Sequence, residues 1–266
     1  MSLPDGAGHG TVGILGVGSL AGAVVEGLCE GVDVPPRVVL SPRGADTATR
    51  LAATYPTVRV AADNQAVLDA SDTVLVCLRE RDAGVLSTLT WSEAHCVVSA
   101  TAGLSAARLA AAVAPARQLA RAVPMVAVAE RAWTTPVRPA VPRAVALLER
   151  LGGAMAMGSD EEFDAVYTAL GTVAPFVDYL RTVSAFLADH GVDRPAADRL
   201  LGRSFALLAP ELAAADVDLG RLLRAHAPSG GGNDQLATLL REAGVPAATR
   251  AALDEVFRRQ THGVWE

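Results

Sequence analysis

The chain has 266 residues, 51% of them hydrophobic and 20% charged, which suffices for one large domain or two modest ones with a proper core. A net charge of −6 with no basic stripe argues against a nucleic-acid partner. All 23 basic residues are Arg, which excludes Schiff-base catalysis and any lysine general acid, because a guanidinium stays protonated.

Residues 1–10 read as a flexible tail with no charged segment leading into an apolar one, so no signal peptide is expected. The apolar stretch 11–28 is interrupted by five glycines and Glu26, which rules it out as a membrane span. Cys29, Cys77 and Cys96 lie in or beside apolar segments without metal-ligand spacing, as expected of reduced core cysteines in a cytoplasmic protein.

Thr11 to Leu15 is a short β-branched run that predicts a strand, and a small-residue helix follows it. Between them stands Gly16-Val17-Gly18-Ser19-Leu20-Ala21, a G-x-G-x-x-A pattern in the strand-to-helix context it requires. Gly16 suits the tight turn, Gly18 lets a pyrophosphate approach the backbone, and the helix N-terminus offers free N–H groups to phosphates. The competing reading is a Gly-rich turn that binds nothing. Arg37 to Leu40 predicts a second strand ending in Ser41-Pro42-Arg43. An NAD site usually carries an acidic residue at this point, whereas a hydroxyl and a guanidinium suit a 2′-phosphate. NADPH is therefore the expected cofactor, against the alternative of a solvated turn arginine.

A helix is predicted over 45–53, a strand over 58–61, a helical turn over 64–70 and a buried strand over 73–78. Next come a helix near 82–89, a strand over 96–100, a helix over 104–113 and a strand over 118–123. A less regular stretch spans 133–142, followed by a helix over 143–151 and a last strand over 153–158. Alternating strands and helices predict a Rossmann-like, doubly wound parallel sheet over residues 11–158. From 159 to 266 the strand signal fades, and helices are expected over 160–170, 173–190, 195–214, 218–226, 233–243 and 246–260. Helices this apolar need a partner surface, and a twofold mate supplies one.

Several stretches together resemble the pyrroline-5-carboxylate reductases. They are Gly13 to Ala21, Ser41-Pro42-Arg43, Val60 to Asn64, Ala100 to Leu104, Arg121 to Met125, Asp164 to Leu170 and Leu239 to Gly244. The resemblance implies a diverged reductase of a small cyclic imine, with an NADPH-binding Rossmann domain and an all-α domain that makes a homodimer. It implies that Asn64 contacts the cofactor and that Ser41 and Arg43 hold its 2′-phosphate, with Gly16, Gly18, Ser19, Leu20, Leu78 and Thr101 completing the cofactor set.

The departures fall in the substrate region. The family's Ser-Gly-Ser-Gly-Pro-Ala-Tyr element is here Gly171 to Val177, its Ser-Pro-Gly-Gly-Thr-Thr loop is here Ala227 to Asp234, and its Met-Pro-Asn is here Val123-Pro124-Met125. Candidate substrate-binding residues are Thr172, Ser229, Gly230 and Gly231, and candidate catalytic residues are His226, Asn233 and Asp234. Each has a structural alternative: a hydroxyl bonded to its own helix for Thr172, a helix C-terminal cation for His226, a helix cap for Asn233 or Asp234. His9, His95, His190 and His262 lie in the tail, a loop or at helix ends and are assigned no chemistry. The leading expectation is hydride transfer from NADPH to C=N. The alternatives are a cofactor-binding sensor or subunit that has lost catalysis, and a deazaflavin-dependent reductase on the same fold.

Overall fold

The computed structural model describes residues 10–262, so the expected tail, apart from Gly10, and His9 lie outside the described residues. The described chain forms two compact units, one running through Val166 and taking in Gln260, the other Tyr167–Arg259. The divisions fall inside two helices, α6 (Asp160–Leu170) and α12 (Val245–His262).

The first unit is built on one sheet. Its strands are β1 (Val12–Leu15), β2 (Val38–Leu40), β3 (Val58–Val60), β4 (Thr73–Val76), β5 (Cys96–Ser99), β6 (Gln118–Ala122), β7 (Thr135–Arg138) and β8 (Ala154–Ala156). Their spatial order is β3-β2-β1-β4-β5-β6-β7-β8. All neighbours are parallel except β6 and β7. The connecting helices are α1 (Ser19–Cys29), α2 (Ala45–Thr54), α3 (Asn64–Asp69), α4 (Ala106–Ala112) and α5 (Pro142–Glu149).

The central strands are buried on both faces, which is why they read as continuous apolar runs. Val12, Ile14, Val38, Leu40, Leu75 and Val98 point into a core shared with Val24 and Leu28 of α1, Leu51 of α2 and Leu148 of α5. Leu15, Val39, Val74, Val76 and Val97, one residue out of phase, point into a second core with Val67 and Leu68 of α3 and Leu109 of α4. A one-residue slip would exchange the two layers, so burial fixes the register Ile14↔Leu40 and Ile14↔Leu75.

α1 is pressed against the 3₁₀ segment Val126–Glu130. A Cβ built on Gly27 would lie 2.2 Å from the Val128 carbonyl oxygen and 2.9 Å from Leu151. Gly27→Ala is therefore expected to cost about 1–3 kcal/mol through displaced backbone, measured by urea denaturation. Burial raises the thiols of Cys96 to about 11 and Cys77 to about 12, so neither is primed as a nucleophile near neutral pH.

Three expectations change. β7 lies inside the stretch expected to be irregular; Pro136 masks it, yet its carbonyl accepts from Val123 N at 3.0 Å, while Thr135 N donates to Gly153 O at 2.9 Å. The predicted helix at 82–89 is a 3₁₀ segment, Glu80–Thr88. The long helix expected over 195–214 is two, α8 (Arg194–Ala206) and α9 (Ala209–Leu212), with Pro210 placed in the first turn of α9.

The second unit is helical: α7 (Val173–Asp189), α8, α9, α10 (Leu219–His226), α11 (Gly232–Glu242) and most of α12. α7 and α8 meet through Phe176 against Phe205, ring centroids 5.6 Å apart, and through the Ser184 hydroxyl, which donates to Asp198. Among its described residues Ala197 is the one fully buried apolar side chain, while Phe186, Leu207 and Leu219 stand 60%, 77% and 67% exposed. No helix among the described residues is long and apolar enough to cross a membrane.

Candidate functional site

The order β3-β2-β1-β4-β5 puts a topological switch point at β1, where the chain turns back to the other half of the sheet. Ligands of open parallel sheets bind outside the carboxyl ends of the strands at such a point. Five loops leave that edge side by side. Gly16 and Gly18 follow β1, Ser41 and Arg43 follow β2, Asn64 follows β3, Leu78 follows β4 and Thr101 follows β5. The nine residues expected to bind cofactor are thus gathered along one edge.

Within the Gly-rich loop the two glycines have different tasks. Gly16 has φ +88° and a built Cβ would meet the Cys77 carbonyl oxygen at 2.7 Å, so the turn from β1 admits only glycine. Gly18 caps α1 with ordinary extended φ of −102°, and a Cβ built there would meet nothing within 4 Å. The loop therefore leaves open space where a phosphate would approach the backbone. No side chain caps α1, and no acidic residue occupies its first turn. The N–H groups of Ser19 and Leu20 and the positive end of the helix dipole are free for an anion. These features fit a dinucleotide pyrophosphate.

Ser41 is completely buried, and its hydroxyl accepts from Gly16 N at 2.9 Å. It braces the Gly-rich loop from the neighbouring strand and is closed off from solvent, so the 2′-phosphate contact expected of Ser41 and Arg43 together falls to Arg43. Arg43 is tied to that loop through its backbone, since its carbonyl accepts from Val17 N at 3.3 Å. Its guanidinium is 69% exposed and pairs with Asp82 at 3.1 Å. Asn64 is half-buried in the first turn of α3, whose cap is Asp63 through Ala66 N at 2.8 Å. Leu78 is half-buried, and Thr101 is buried with its hydroxyl directed to Val76 O at 3.5 Å. Sequence reasoning missed Asp82, which stands in the 3₁₀ segment after β4 and meets Arg43 from 39 residues away, beyond the reach of any local pattern.

In the second unit the structure gathers His226, Ser229, Gly230, Gly231, Asn233 and Asp234 at the junction of α10 and α11. Asn233 Nδ2 donates to His226 O at 2.8 Å, closing the end of α10, and Asp234 accepts from Gly230 N at 3.0 Å. Neither side chain caps α11, whose N-cap is Gly231. His226 Nε2 lies 3.6 Å from the Glu211 carboxylate, with both half exposed. His226 and Asn233 line a cavity of about 680 Å³ whose other walls include Tyr179, Phe205, Leu223 and Leu236. Thr172 does not line it; its hydroxyl donates to Ala169 O at 2.7 Å, the backbone alternative for this residue. Asp234→Ala is expected to cost about 1 kcal/mol of stability, the worth of its bond to Gly230, read by thermal unfolding.

Among the described residues no cluster of His, Cys, Asp or Glu could hold a metal ion. Residues 11–103, from β1 to the turn after β5, match the family described as NADP oxidoreductase coenzyme F420-dependent. By sequence the chain matches none of the curated proteins. Among solved structures it is similar to a pyrroline-5-carboxylate reductase from Streptococcus pyogenes, with 21% identity, TM-score 0.77 and coverage of 94% of this chain and 98% of that one. A Plasmodium falciparum pyrroline carboxylate reductase with NADP bound gives 13% identity, TM-score 0.77 and coverage of 97% and 99%. An imine reductase from Aspergillus terreus, in complex with NADPH4 and dibenz[c,e]azepine, gives 20% identity, TM-score 0.55 and coverage of 95% and 94%. The chain is thus pyrroline-5-carboxylate reductase-like in fold, a Rossmann-type sheet domain followed by a helical part, as its motifs indicated.

Proposed function

We propose that the chain is an NADPH-dependent reductase of a small cyclic imine, pyrroline-5-carboxylate or a related C=N compound. The observation that carries this reading is the edge itself: an open approach at Gly18 beside an uncapped helix N-terminus, flanked by Ser41 and Arg43. The C=N substrate class is supported by the names of the structures the chain resembles, two pyrroline carboxylate reductases and an imine reductase. The bound nicotinamide would supply the hydride.

The chain's own residues then have stated tasks. Gly16, Gly18 and the N–H groups of Ser19 and Leu20 hold the pyrophosphate, Ser41 braces their loop, and Arg43 meets the 2′-phosphate. Asn64, Leu78 and Thr101 line the rest of the crevice. In the second unit, Ser229 is the residue left to meet a substrate carboxylate, because the N–H groups of Gly230 and Gly231, also expected to bind it, are spent on Asp234 and on Pro228 O; Asn233 and Asp234 hold that loop in shape, and His226 delivers the proton to nitrogen. Thr172 is assigned to the substrate side through its position at the start of α7. We assign residues 11–158 to cofactor binding and 159–266 to substrate binding and dimerisation.

A homodimer is supported by the exposure of Phe186, Leu207, Leu219, Leu223 and Leu239, an apolar surface that a second copy would cover. The cytoplasm is the assigned location on the strength of three unpaired cysteines.

Two other readings have specific support. Thr172, Asn233 and Asp234 all spend their side chains on backbone groups, as they would in a cofactor-binding sensor or subunit without catalysis. The family description over 11–103 names coenzyme F420, which favours a deazaflavin partner. The test is NADPH consumption with a panel of cyclic imines including pyrroline-5-carboxylate, in the absence of any deazaflavin. Turnover of an imine supports the reductase. NADPH binding without turnover supports the sensor, and turnover only after a deazaflavin is added supports the third reading.

A further inference from the structure

Arg43 is the one cation the 2′-phosphate reading relies on, and it is already engaged. Asp82 sits in the first turn of the 3₁₀ segment Glu80–Thr88, its N–H bonded to Arg79 O at 2.9 Å. Buried Ala83 and Leu86 anchor that segment from below, and the Glu80–Arg108 ion pair ties it to α4. The Asp82 side chain is 22% exposed against 69% for Arg43, so the carboxylate is the fixed member and the guanidinium the adjustable one. The Arg43 backbone is in turn bonded to Val17 of the Gly-rich loop, so the pair belongs to the cofactor crevice.

A guanidinium has five N–H donors and can serve a carboxylate and a phosphate together. The two anions then share one cation, and their mutual repulsion remains. We propose that Asp82 is a specificity-determining residue that tempers the preference for NADPH over NADH by competing for Arg43. The inference rests on the dinucleotide reading above. NADH carries no 2′-phosphate, so the pair stays intact when it binds; NADPH must share or displace Asp82. The chain discriminates between the two less than a free arginine would.

The experiment is fluorescence titration of NADPH and NADH with the full chain, as wild type, Asp82→Asn, Arg43→Ala and the double variant, at two salt concentrations. Asp82→Asn is expected to tighten NADPH about threefold or more, an effect of the size an exposed ion pair carries, and to change NADH by less than about twofold. The gain vanishes in the Arg43→Ala background and shrinks at high salt. Weaker NADPH binding in Asp82→Asn, or an equal shift for both dinucleotides, overturns the proposal while leaving the dinucleotide site standing. Wild type that binds neither dinucleotide overturns that reading and this one with it. Unchanged thermal unfolding of Asp82→Asn separates a loss of fold from a change of preference.

Discussion

Gly18→Val is expected to weaken NADPH binding about a hundredfold or more while leaving the unfolding midpoint within experimental error of wild type. The two halves of that result come from one observation. Gly18 has an extended backbone that any residue adopts, and a Cβ there touches no protein atom within 4 Å. The protein therefore loses nothing by the substitution. A branched side chain would fill the space through which pyrophosphate reaches the N–H groups of α1, and about a hundredfold corresponds to about 2.7 kcal/mol of lost binding. Gly16→Val makes the contrast, since its positive φ and the Cys77 carbonyl at 2.7 Å turn the same change into a folding defect. Isothermal titration beside thermal unfolding checks both.

Asp164→Ala is expected to cost about 3–5 kcal/mol of folding stability, enough to unfold a marginal domain. Arg121, at the end of β6, is 6% exposed; its Nη1 donates to Asp164 Oδ1 at 2.7 Å and its Nη2 to Asp160 Oδ1 at 3.1 Å. The guanidinium also lies over the Phe163 ring, 4.5 Å from its centroid. Asp164 is as enclosed as Arg121, at 10% and 8% side-chain exposure, so water cannot replace the carboxylate once it is removed. Asp160 is 58% exposed and offsets only part of the stranded charge. The double change Arg121→Met with Asp164→Leu removes both charges and is expected to recover most of the loss. Urea denaturation of the three variants measures it.

Burial on both faces of β1, β2, β4 and β5 made those strands legible, because period and composition agree there. α6 reads correctly from its three leading acids, Asp160, Glu161 and Glu162, which favour a helix N-terminus. β7 stayed hidden because Pro136 removes a ladder donor and the strand pairs with β6 over only Arg121↔Arg138 and Ala122↔Val137. At the edge, the positions of Gly16, Gly18, Ser41 and Arg43 were legible because each follows directly on a strand, β1 or β2, that reads clearly. Asp82 was not, since it meets Arg43 across 39 residues of chain and no local pattern encodes that pairing. For the same reason the Arg121–Asp164 pair, 43 residues apart, is silent in the sequence. The loop 226–234 was legible as a loop, but its bonds from Asn233 to His226 and from Gly230 to Asp234 depend on how α10 and α11 meet.

The central claim is hydride transfer from NADPH to an imine carbon. It is tested most directly by supplying NADPH deuterated at the transferring position together with pyrroline-5-carboxylate and related cyclic imines, and weighing the amine product. The account predicts that one of these imines is reduced, without any deazaflavin, to an amine carrying a single deuterium on the former imine carbon. Tight NADPH binding with every imine returned unreduced, or an amine without the label, would contradict it.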